Sequence, residues 1–403
     1  MIVDRPVYLE KLKRFKDKKL IKVTTGIRRC GKSTLYELFI GFLKEQGVAE
    51  KQILHIKLTD GEHDQIKTHG DLYEFVSKRL VPGKMNYVFL DEVQVVEEFE
   101  RACNALYEKD NVDLYITGSN SSLLSSELAT LLTGRFVEIK MLPLSFKEYV
   151  SVTSEEDLKR RYNEYLTRTS FPGAMELESV ADVRMYLDGI YSSIVLKDVV
   201  ERYKIADVAS LNRLTRFMYD NISNRCSAKT IVEALKESGK NISVPTVDGY
   251  LEALKGAYVL YEARRYDIKG KEYLKAPTKY YVPDMGLRFF LLGSKPADFG
   301  RILENIVYLE LLRRDYDVAV GKVNDKEVDF VAFDNNQEPT YIQVAYKTDE
   351  TETLERELRV LKSIGDDNKK ILLTLDDEPY ASYDGIKKIN CLDWLLGKAD
   401  GVF

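Results

Sequence analysis

The eight residues GIRRCGKS, positions 26–33, have the composition and spacing of a loop that holds phosphate groups. Gly26 and Gly31 let the backbone turn so that its N–H groups point inward, and the N-terminus of a following helix favours an anion. Lys32 can reach the outer phosphates of a nucleotide, and the Ser33 hydroxyl can bind Mg²⁺. The pattern predicts ATP and Mg²⁺ as cofactors, with loop contacts from Gly26, Ile27, Arg28, Arg29, Cys30, Gly31, Lys32, Ser33 and Thr34.

Two arginines and a cysteine occupy the variable positions inside this loop. We expect the side chains of Arg28 and Arg29 to point outward while their backbone N–H groups serve the phosphates. Two interpretations stay open for them: a solvated surface, or contact with a neighbouring element or a bound partner. For Cys30 we expect a small space-filling role rather than a reactive thiol.

A second set of polar residues follows the apolar run YVFL at positions 87–90. Asp91 is predicted to hold Mg²⁺, directly or through water, and Glu92 is predicted to take a proton from the attacking water. The segment LYITGSN (114–120) also ends in polar side chains, and Ser119 is predicted to lie beside the γ-phosphate.

Arg135 follows Gly134 in the segment LLTGRF. An arginine at this point can neutralise transition-state charge, either on its own nucleotide or on that of a neighbouring subunit. An ordinary surface arginine is the alternative. With Lys32 and Glu92 it completes the predicted catalytic set.

These residues require a scaffold that gathers strand ends at one edge. Apolar segments at 20–26, 51–58, 86–94 and 112–120 are predicted strands, and helical segments alternate with them. Such alternation favours a parallel sheet in an α/β fold, in which ligands bind beyond the carboxyl ends of the strands.

The ordered motifs GIRRCGKST, YVFLDEVQ, YITGSNSSLLSSELATLLTGRF and LPLSFKEY resemble those of prokaryotic AAA-type P-loop ATPases with a C-terminal domain of unknown function. The resemblance extends over nearly the whole chain. It implies that Lys32 and Ser33 contact phosphate and Mg²⁺. It also implies that Asp91 and Glu92 form the Walker B pair and that Arg135 is the arginine-finger candidate. It implies no particular substrate.

Behind the ATPase core the sequence changes character twice. We predict four segments: an AAA-type P-loop ATPase core (1–144), a helical lid (145–205), a winged helix (206–283) and a nuclease-like α/β domain (284–403). The winged helix is predicted from three short helices followed by two strands, YVLYEARRYD and TKYYVPD, which the polar loop IKGKEYLKAP joins.

The predicted winged helix is locally basic. Residues 201–283 contain fifteen Lys and Arg against ten Asp and Glu, a net charge of +5 in a chain whose total is −5. A winged helix can place its third helix in the major groove of DNA and its wing on phosphates, but it can also serve as a protein-contact module. The DNA contacts predicted for the wing are Arg264, Arg265, Lys269 and Lys271.

The helix–strand–strand–strand–helix–strand order of residues 284–403 resembles the core of PD-(D/E)xK nucleases. That resemblance places the motif positions at Glu304, Asp329, Gln343 and Ala345. Gln343 offers only a neutral oxygen and Ala345 offers no group that could activate water. We therefore expect a restriction-endonuclease-like fold that does not cleave nucleic acid.

Composition excludes several other classes of protein. The four cysteines lie far apart with no CxxC pair, and the spacings of His55, His63 and His69 do not suit a shared metal. No apolar run reaches about 18 residues, so no membrane association is expected, and a cytoplasmic location follows from the cysteine usage.

The sequence as a whole predicts an Mg²⁺-dependent ATPase that couples nucleotide state to DNA or partner binding by its C-terminal domains. Two alternatives stay open: an ATP-regulated, metal-dependent DNA nuclease, and a non-hydrolysing protein that responds to nucleotide. A protein partner and an oligomeric state are both compatible with the sequence.

Overall fold

A computed structural model describes residues 2–121, 134–152, 157–237, 242–275, 277–295, 298–377 and 380–399. The backbone forms two compact units. The first comprises Met1–Pro143, Phe171–Glu176 and Gly256–Tyr258, and the second comprises Leu144–Ser170, Leu177–Lys255 and Val259–Phe403. No helix of the described ranges is both long and apolar enough to cross a membrane.

The first unit is built on a sheet of five parallel strands, which confirms the parallel sheet predicted from the sequence. The strands are β1 (Ile21–Thr25), β2 (Ile53–Lys57), β3 (Asn86–Asp91), β4 (Val112–Gly118) and β5 (Phe136–Lys140), in the order β2-β3-β4-β1-β5. Strands β1, β3 and β4 are buried at every residue, as expected for the central strands of a parallel sheet covered on both faces. Helices of this unit are α1 (Pro6–Phe15), α2 (Lys32–Glu45), α3 (His69–Ser77) and α4 (Phe99–Tyr107).

Aromatic contacts fix α2 against this sheet. Tyr36 and Phe39 of α2 are fully buried. The Tyr36 ring centroid lies 5.2 Å from that of Phe89 on β3, and the Phe39 centroid lies 5.3 Å from that of Tyr115 on β4. Since α2 begins at the end of the phosphate-loop motif, these contacts hold that loop at the carboxyl edge of the sheet.

The second unit contains ten helices within the described ranges, and a π-helical stretch (Ile194–Glu201) continues one of them. They are α5 (Phe146–Ser151), α6 (Leu158–Thr167), α7 (Val180–Ser193), α8 (Val208–Asp220), α9 (Ala228–Glu237), α10 (Val244–Gly256), α11 (Met285–Leu292), α12 (Phe299–Arg313), α13 (Thr351–Lys362) and α14 (Cys391–Leu395).

Two sheets accompany these helices. A small antiparallel sheet has the order β6-β10-β7, with β6 (Arg225–Cys226), β7 (Tyr261–Ala263) and β10 (Thr278–Tyr281). A mixed sheet has the order β15-β16-β14-β13-β12-β11-β8-β9. Its strands are β8 (Arg265–Asp267), β9 (Glu272–Tyr273), β11 (Asp317–Val323), β12 (Lys326–Phe333), β13 (Pro339–Ala345), β14 (Lys370–Thr374), β15 (Tyr380–Tyr383) and β16 (Ile386–Asn390).

The prediction of one continuous strand over YVLYEARRYD is wrong. It divides at Arg264 into β7 and β8, which belong to different sheets. Strand β8 pairs in parallel with β11, and the N–H of Ile268 donates to Lys322 O at 2.9 Å. The basic β8–β9 hairpin therefore extends the C-terminal sheet and is not a free wing.

A buried carboxylate anchors α11 to the end of α6. Asp284 accepts hydrogen bonds from Ser170 N and Oγ, both at 2.6 Å, and from Thr169 Oγ1 at 3.0 Å. It also caps α11 through Leu287 N at 2.5 Å. A Cβ on Gly286 would lie 2.0 Å from Arg168 O, so only glycine permits this approach.

Candidate nucleotide-binding site

The loop between β1 and α2 depends on its two glycines for backbone reasons. Gly26 has φ +146°, and a Cβ built on it would lie 2.1 Å from Met141 O. Gly31 has φ +104° and immediately precedes α2. Both positions exclude larger residues, so the chain turns sharply between the strand and the helix N-terminus.

Lys32 is buried, with 4% of its surface exposed, and its ammonium lies against the carbonyls of the loop. Nζ donates to Gly26 O at 3.1 Å and to Ile27 O at 3.4 Å. The same atom lies 3.5 Å from Glu92 Oε1. The cation thus sits at the mouth of the phosphate loop and faces the acidic pair.

The hydroxyl of Thr117 on β4 links the two acidic residues. Asp91 ends β3, and the neighbouring Thr117 donates a hydrogen bond from Oγ1 to Asp91 Oδ1. Thr117 Oγ1 also accepts a hydrogen bond from Glu92 N at 2.8 Å. Glu92 has φ +56°, a strained conformation that this contact helps to hold.

The carboxyl group of Glu92 is held in its ionised form. Burial by itself would raise its pKa, but the charge of Lys32 and the hydrogen bond from Gln94 outweigh burial, with smaller contributions from Arg28 and Ser119, and the pKa lies below its ordinary value. The Gln94 Nε2 to Glu92 Oε2 distance is 2.5 Å. Glu92 can therefore accept a proton at neutral pH.

The structure brings most of the predicted loop residues to this edge. Arg28 is half-buried, and its positive charge contributes to the lowered pKa of Glu92. Arg29 is exposed with φ +68°. Burial raises the pKa of the Cys30 thiol, which suits a space-filling residue. Ser33 and Thr34 are half-buried in the first turn of α2.

The donor set suits Mg²⁺ with a nucleotide. Ser33 supplies a hydroxyl oxygen and Asp91 a carboxylate oxygen, which are hard ligands of the kind that Mg²⁺ prefers. Mg²⁺ usually takes only one or two protein oxygens and completes its shell with phosphates and water. Within the described ranges, no group of three or more His, Cys, Asp and Glu residues could hold a metal by itself.

Arg135, predicted to act on its own nucleotide or on that of a neighbouring subunit, lies at the opposite end of β1 from the phosphate loop. Arg135 precedes β5, and its carbonyl accepts from Ile21 N (2.8 Å) at the start of β1, whereas the phosphate loop follows the other end of β1, about 13 Å away. Its Nη1 donates to Asn104 Oδ1 at 2.5 Å and to Glu108 Oε1 at 2.8 Å. A role on a neighbouring subunit's nucleotide stays a proposal.

Arg5 is a site residue that the sequence does not reveal. It is 2% exposed, and its guanidinium donates to Cys30 O at 2.9 Å and to Leu142 O at 2.6 Å. It thereby ties the phosphate loop to the segment after β5. All these acceptors are backbone carbonyls 25 or more positions away, so no side-chain motif marks the contact.

The predicted nuclease-like positions meet in the second unit. Glu304 and Asp329 both face the ammonium of Lys279, at 2.9 Å and 3.8 Å. Gln343 accepts from Asp329 N at 3.2 Å and donates to Glu357 Oε2 at 2.9 Å. These side chains are already engaged with one another.

The predicted DNA contacts differ in their surroundings. Lys269 and Lys271 are exposed in the turn of the β8–β9 hairpin. Arg264 is exposed and lies over the Tyr273 ring at 4.3 Å. Arg265 is half-buried, and burial lowers its pKa. Arg265 is therefore less suited to phosphate contact than the other three.

Comparison with known proteins finds two family profiles that match parts of this chain and relatives that are similar over most of it. A family profile described as an AAA domain matches residues 18–150, and one described as a domain of unknown function (DUF8612) matches residues 159–298. An uncharacterized protein of Haemophilus influenzae is 38% identical over 400 residues, covering 98% of this chain and 99% of the relative. Uncharacterized protein MJ1544 of Methanocaldococcus jannaschii is 31% identical over 392 residues, covering 89% of this chain and 83% of the relative. The Walker-type ATPase PABY2304 of Pyrococcus abyssi has a TM-score of 0.46 at 16% identity, covering 72% of this chain and 96% of that one.

Proposed function

The chain belongs to the family of its Haemophilus influenzae and Methanocaldococcus jannaschii relatives and carries an AAA domain, and on this premise we propose that it is an Mg²⁺-dependent ATPase. The observation that carries the proposal is the geometry of Glu92. Its carboxylate is kept ionised at the mouth of the phosphate loop, 3.5 Å from Lys32. A loop that only bound nucleotide would not require a buried base at this point.

In the proposed reaction, Lys32 exchanges its contacts with loop carbonyls for the outer phosphates. Backbone N–H groups of 26–33 and the N-terminus of α2 stabilise the same negative charge. Ser33 and Asp91 would hold Mg²⁺, which would neutralise charge on the phosphates. Glu92 takes the proton of the attacking water, and Ser119 lies beside that carboxylate.

Phosphate release by three variants tests this proposal. Glu92→Gln keeps the shape of the side chain but removes the base, so we expect hydrolysis to fall by about 10²–10⁴-fold with ATP binding retained. Lys32→Met is expected to lose ATP binding itself. Lys44→Met, which changes an exposed lysine at the far end of α2, is the matched control. Equal rates for wild type and Glu92→Gln would favour the non-hydrolysing alternative.

We also propose that residues 206–283, apart from the β8–β9 hairpin, form a winged-helix module that binds DNA and responds to the nucleotide. Three features support it: the helices α8 to α10, the antiparallel sheet β6-β10-β7, and the net charge of +5 over residues 201–283. Lys269 and Lys271 supply exposed cations on an adjacent hairpin.

Fluorescence anisotropy with duplex DNA, at several salt concentrations, tests this second proposal. The double variant Lys269→Glu/Lys271→Glu should weaken binding and make the salt dependence less steep, because fewer counterions are released. Lys362→Glu, an exposed lysine paired with Asp384, is the control for a change of charge elsewhere. No binding at low salt, or equal binding by all proteins, would remove DNA from the proposal and leave a protein partner.

A further inference from the structure

Gln94 lies beside the proposed catalytic base, Glu92, and within the part of the chain that the structure describes only the nitrogen of its side-chain amide makes a hydrogen bond. Its Nε2 donates to Glu92 Oε2 at 2.5 Å. Its Oε1 is buried and has no hydrogen-bond partner among the described residues. A buried acceptor without a partner is costly, so its presence at this edge requires a reason.

The amide orientation follows from the chemistry of the pair. An ionised carboxylate only accepts hydrogen bonds, whereas a glutamine amide has one donating end and one accepting end. The reversed orientation would place two acceptors together. Oε1 therefore points away from the carboxylate and stays available to a donor.

The backbone around Glu92 makes this contact possible. Gln94 lies in a single 3₁₀ turn, Val93–Val95, directly after the acidic pair. The φ of +56° at Glu92 and the bond from its N–H to Thr117 fix the start of that turn. Gln94 is thereby folded back onto Glu92 rather than extended into solvent.

We propose that Gln94 is a positioning residue for hydrolysis: its amide nitrogen holds the Glu92 carboxylate, and its amide oxygen accepts a hydrogen bond from the attacking water. This rests on the proposed ATPase function. The water oxygen bonds to the γ-phosphorus, one proton passes to Glu92, and the bond to the bridging oxygen breaks with its electron pair leaving on ADP. The other hydrogen stays on the phosphate product, within reach of Gln94.

Steady-state kinetics of Gln94→Leu test the proposal. We expect kcat to fall about 10–100-fold with KM for ATP changed less than about threefold, since binding does not use Gln94. The acid limb of the kcat profile should move to higher pH, because a hydrogen bond that lowers the pKa of Glu92 is lost. Gln94→Glu, which cannot donate at neutral pH, should behave similarly. Val95→Ala, in the same turn and half-exposed, is the control.

Binding of a fluorescent ATP analogue establishes that each variant is folded at the site. A wild type that releases phosphate while Gln94→Leu keeps both its kcat and its acid limb would overturn the role of Gln94 and leave the ATPase proposal intact. A wild type that binds ATP but releases no phosphate would overturn both proposals together.

A second, independent observation concerns Lys279 of β10, which is 4% exposed. Its Nζ lies 2.9 Å from Glu304 Oε1, 2.8 Å from Glu327 Oε1 and 3.8 Å from Asp329 Oδ1. Glu304 and Asp329 are two of the motif positions that the nuclease resemblance assigns, and Asp329 is the one expected to bind a metal. An ammonium therefore lies among these carboxylates.

Other donors also contact the carboxylates of this cluster. Tyr281 donates to Glu304 Oε1 at 2.8 Å, and Val344 N donates to Asp329 Oδ2 at 2.9 Å. Arg225 Nε donates to Glu327 Oε2 at 2.5 Å. Burial raises the pKa of both Glu304 and Asp329, whereas the charge of Lys279 opposes that rise.

We infer that the Lys279 ammonium is the resident cation of this carboxylate cluster, so that the second unit binds no catalytic divalent metal there and holds β10 to α12 and β12 instead. Buried carboxylates need a partner charge, and here the chain supplies it. This inference does not depend on ATP hydrolysis, and it weighs against the nuclease alternative.

Thermal unfolding with Mn²⁺ or with a chelator tests the inference on the wild-type protein. We expect no metal-dependent shift and no cleavage of plasmid DNA. Lys279→Met should lower the unfolding temperature by roughly 5–15 °C, because the carboxylates lose their cation. Adding Glu304→Gln to that variant should restore part of the loss. Lys322→Met, in the same unit and half-exposed, is the control.

Stabilisation of the wild type by Mn²⁺ that disappears in Asp329→Asn would overturn the inference, as would metal-dependent cleavage that the same variant lacks. Strictly additive effects of Lys279→Met and Glu304→Gln would also contradict it. Lys279→Arg, which keeps the charge, guards against a general packing defect: it should be more stable than Lys279→Met.

Discussion

Thr117 joins the two acidic residues through a single oxygen. Its hydroxyl donates to Asp91 and accepts from the backbone N–H of Glu92, and its side chain is fully buried. One short polar side chain thus fixes both the proposed Mg²⁺ ligand and the proposed base. Threonine is suited to this because it offers a donor and an acceptor at one atom.

Thr117→Val should therefore impair both stability and catalysis. The Glu92 N–H would stay buried without an acceptor, so we expect the free energy of unfolding to fall by about 1–3 kcal/mol. Phosphate release should fall roughly tenfold or more, because Glu92 is no longer held in place. Urea unfolding and a phosphate-release assay measure the two effects.

Thr215→Val is the matched control, since Thr215 is also fully buried and donates to Leu211 O at 2.9 Å. It should lose stability with hydrolysis unchanged per folded molecule. If Thr117→Val retains the wild-type rate, Thr117 has only a structural role.

Asp329 gives a prediction for the pH dependence of stability. Burial and the charge of Glu304 raise its pKa well above the ordinary value, despite the opposing charge of Lys279. A raised pKa means that the folded protein favours the protonated acid, so this contribution is complete at low pH and is lost as pH rises through the folded pKa.

Asp329→Asn imitates the protonated acid at every pH. Relative to wild type it should gain stability between about pH 5 and pH 8, as wild type loses the contribution of its acid. Denaturant unfolding at both pH values measures the difference. The reverse trend, with the variant losing ground at pH 8, would mean that Asp329 is ionised in the folded protein.

At the scale of elements, the phosphate loop requires Gly26 because β1 passes close to the segment after β5. A Cβ on Gly26 would lie 2.1 Å from Met141 O, and its φ of +146° disfavours any side chain. Gly26→Ala should displace the loop, weaken ATP binding and lower the free energy of unfolding by about 1–3 kcal/mol. Equilibrium binding and denaturant unfolding check this.

Gly41→Ala offers the opposite outcome within the helix that follows the loop. Gly41 lies inside α2, and a Cβ there meets nothing within 4 Å. It should gain roughly 0.5–1 kcal/mol with ATP binding unchanged. If Gly26→Ala and Gly41→Ala lowered the free energy of unfolding and ATP binding to a similar extent, the loss would come from a change in the conformation of α2 and not from the close contact at Gly26.

The sequence could predict the elements whose signal is local. The glycines, Lys32 and the Asp91–Glu92 pair lie at strand ends, and strand–helix alternation is enough to place such ends at one edge. The position of Arg135 after a glycine suggests a role at the nucleotide, but the register of β5 against β1 places Arg135 at the edge of the sheet opposite the phosphate loop. That register depends on long-range pairing, which no local pattern encodes.

The same reason explains the division of the strand YVLYEARRYD. Alternation predicts extended backbone from Tyr261 to Asp267 but not which partner each half selects. Lys279, on the strand after the hairpin, meets Glu304 and Asp329 only through tertiary packing. A family resemblance predicts Glu304 and Asp329 as motif positions, but no local sequence pattern indicates that Lys279 lies between them.

At the scale of the whole molecule, the AAA-type core predicted from the motifs is confirmed by the AAA-domain match and the five-stranded parallel sheet. The four predicted segments stay a prediction, since the backbone divides into two compact units. The predicted lid, winged helix and nuclease-like segments lie largely together in the second unit. Composition could not show this, because it does not report which segments share a core.

Ligand binding gives a prediction for the first unit. ATP with Mg²⁺ at 100 times its dissociation constant should stabilise that unit by about 2.7 kcal/mol. Differential scanning calorimetry should show this shift in wild type and in Glu92→Gln, and not in Lys32→Met. A shift that survives in Lys32→Met would place the nucleotide elsewhere in the protein.

The pairing of β8 with β11 also limits where the gene can be truncated or recombined without loss of folding. A gene fragment that ends at residue 283 would keep β8 and β9 and discard the strand β11 that β8 pairs with. Its new edge would present unpaired N–H and C=O groups and favour aggregation. Recombination at the same point would require a compatible replacement strand, so we expect the basic hairpin and the C-terminal sheet to be exchanged together.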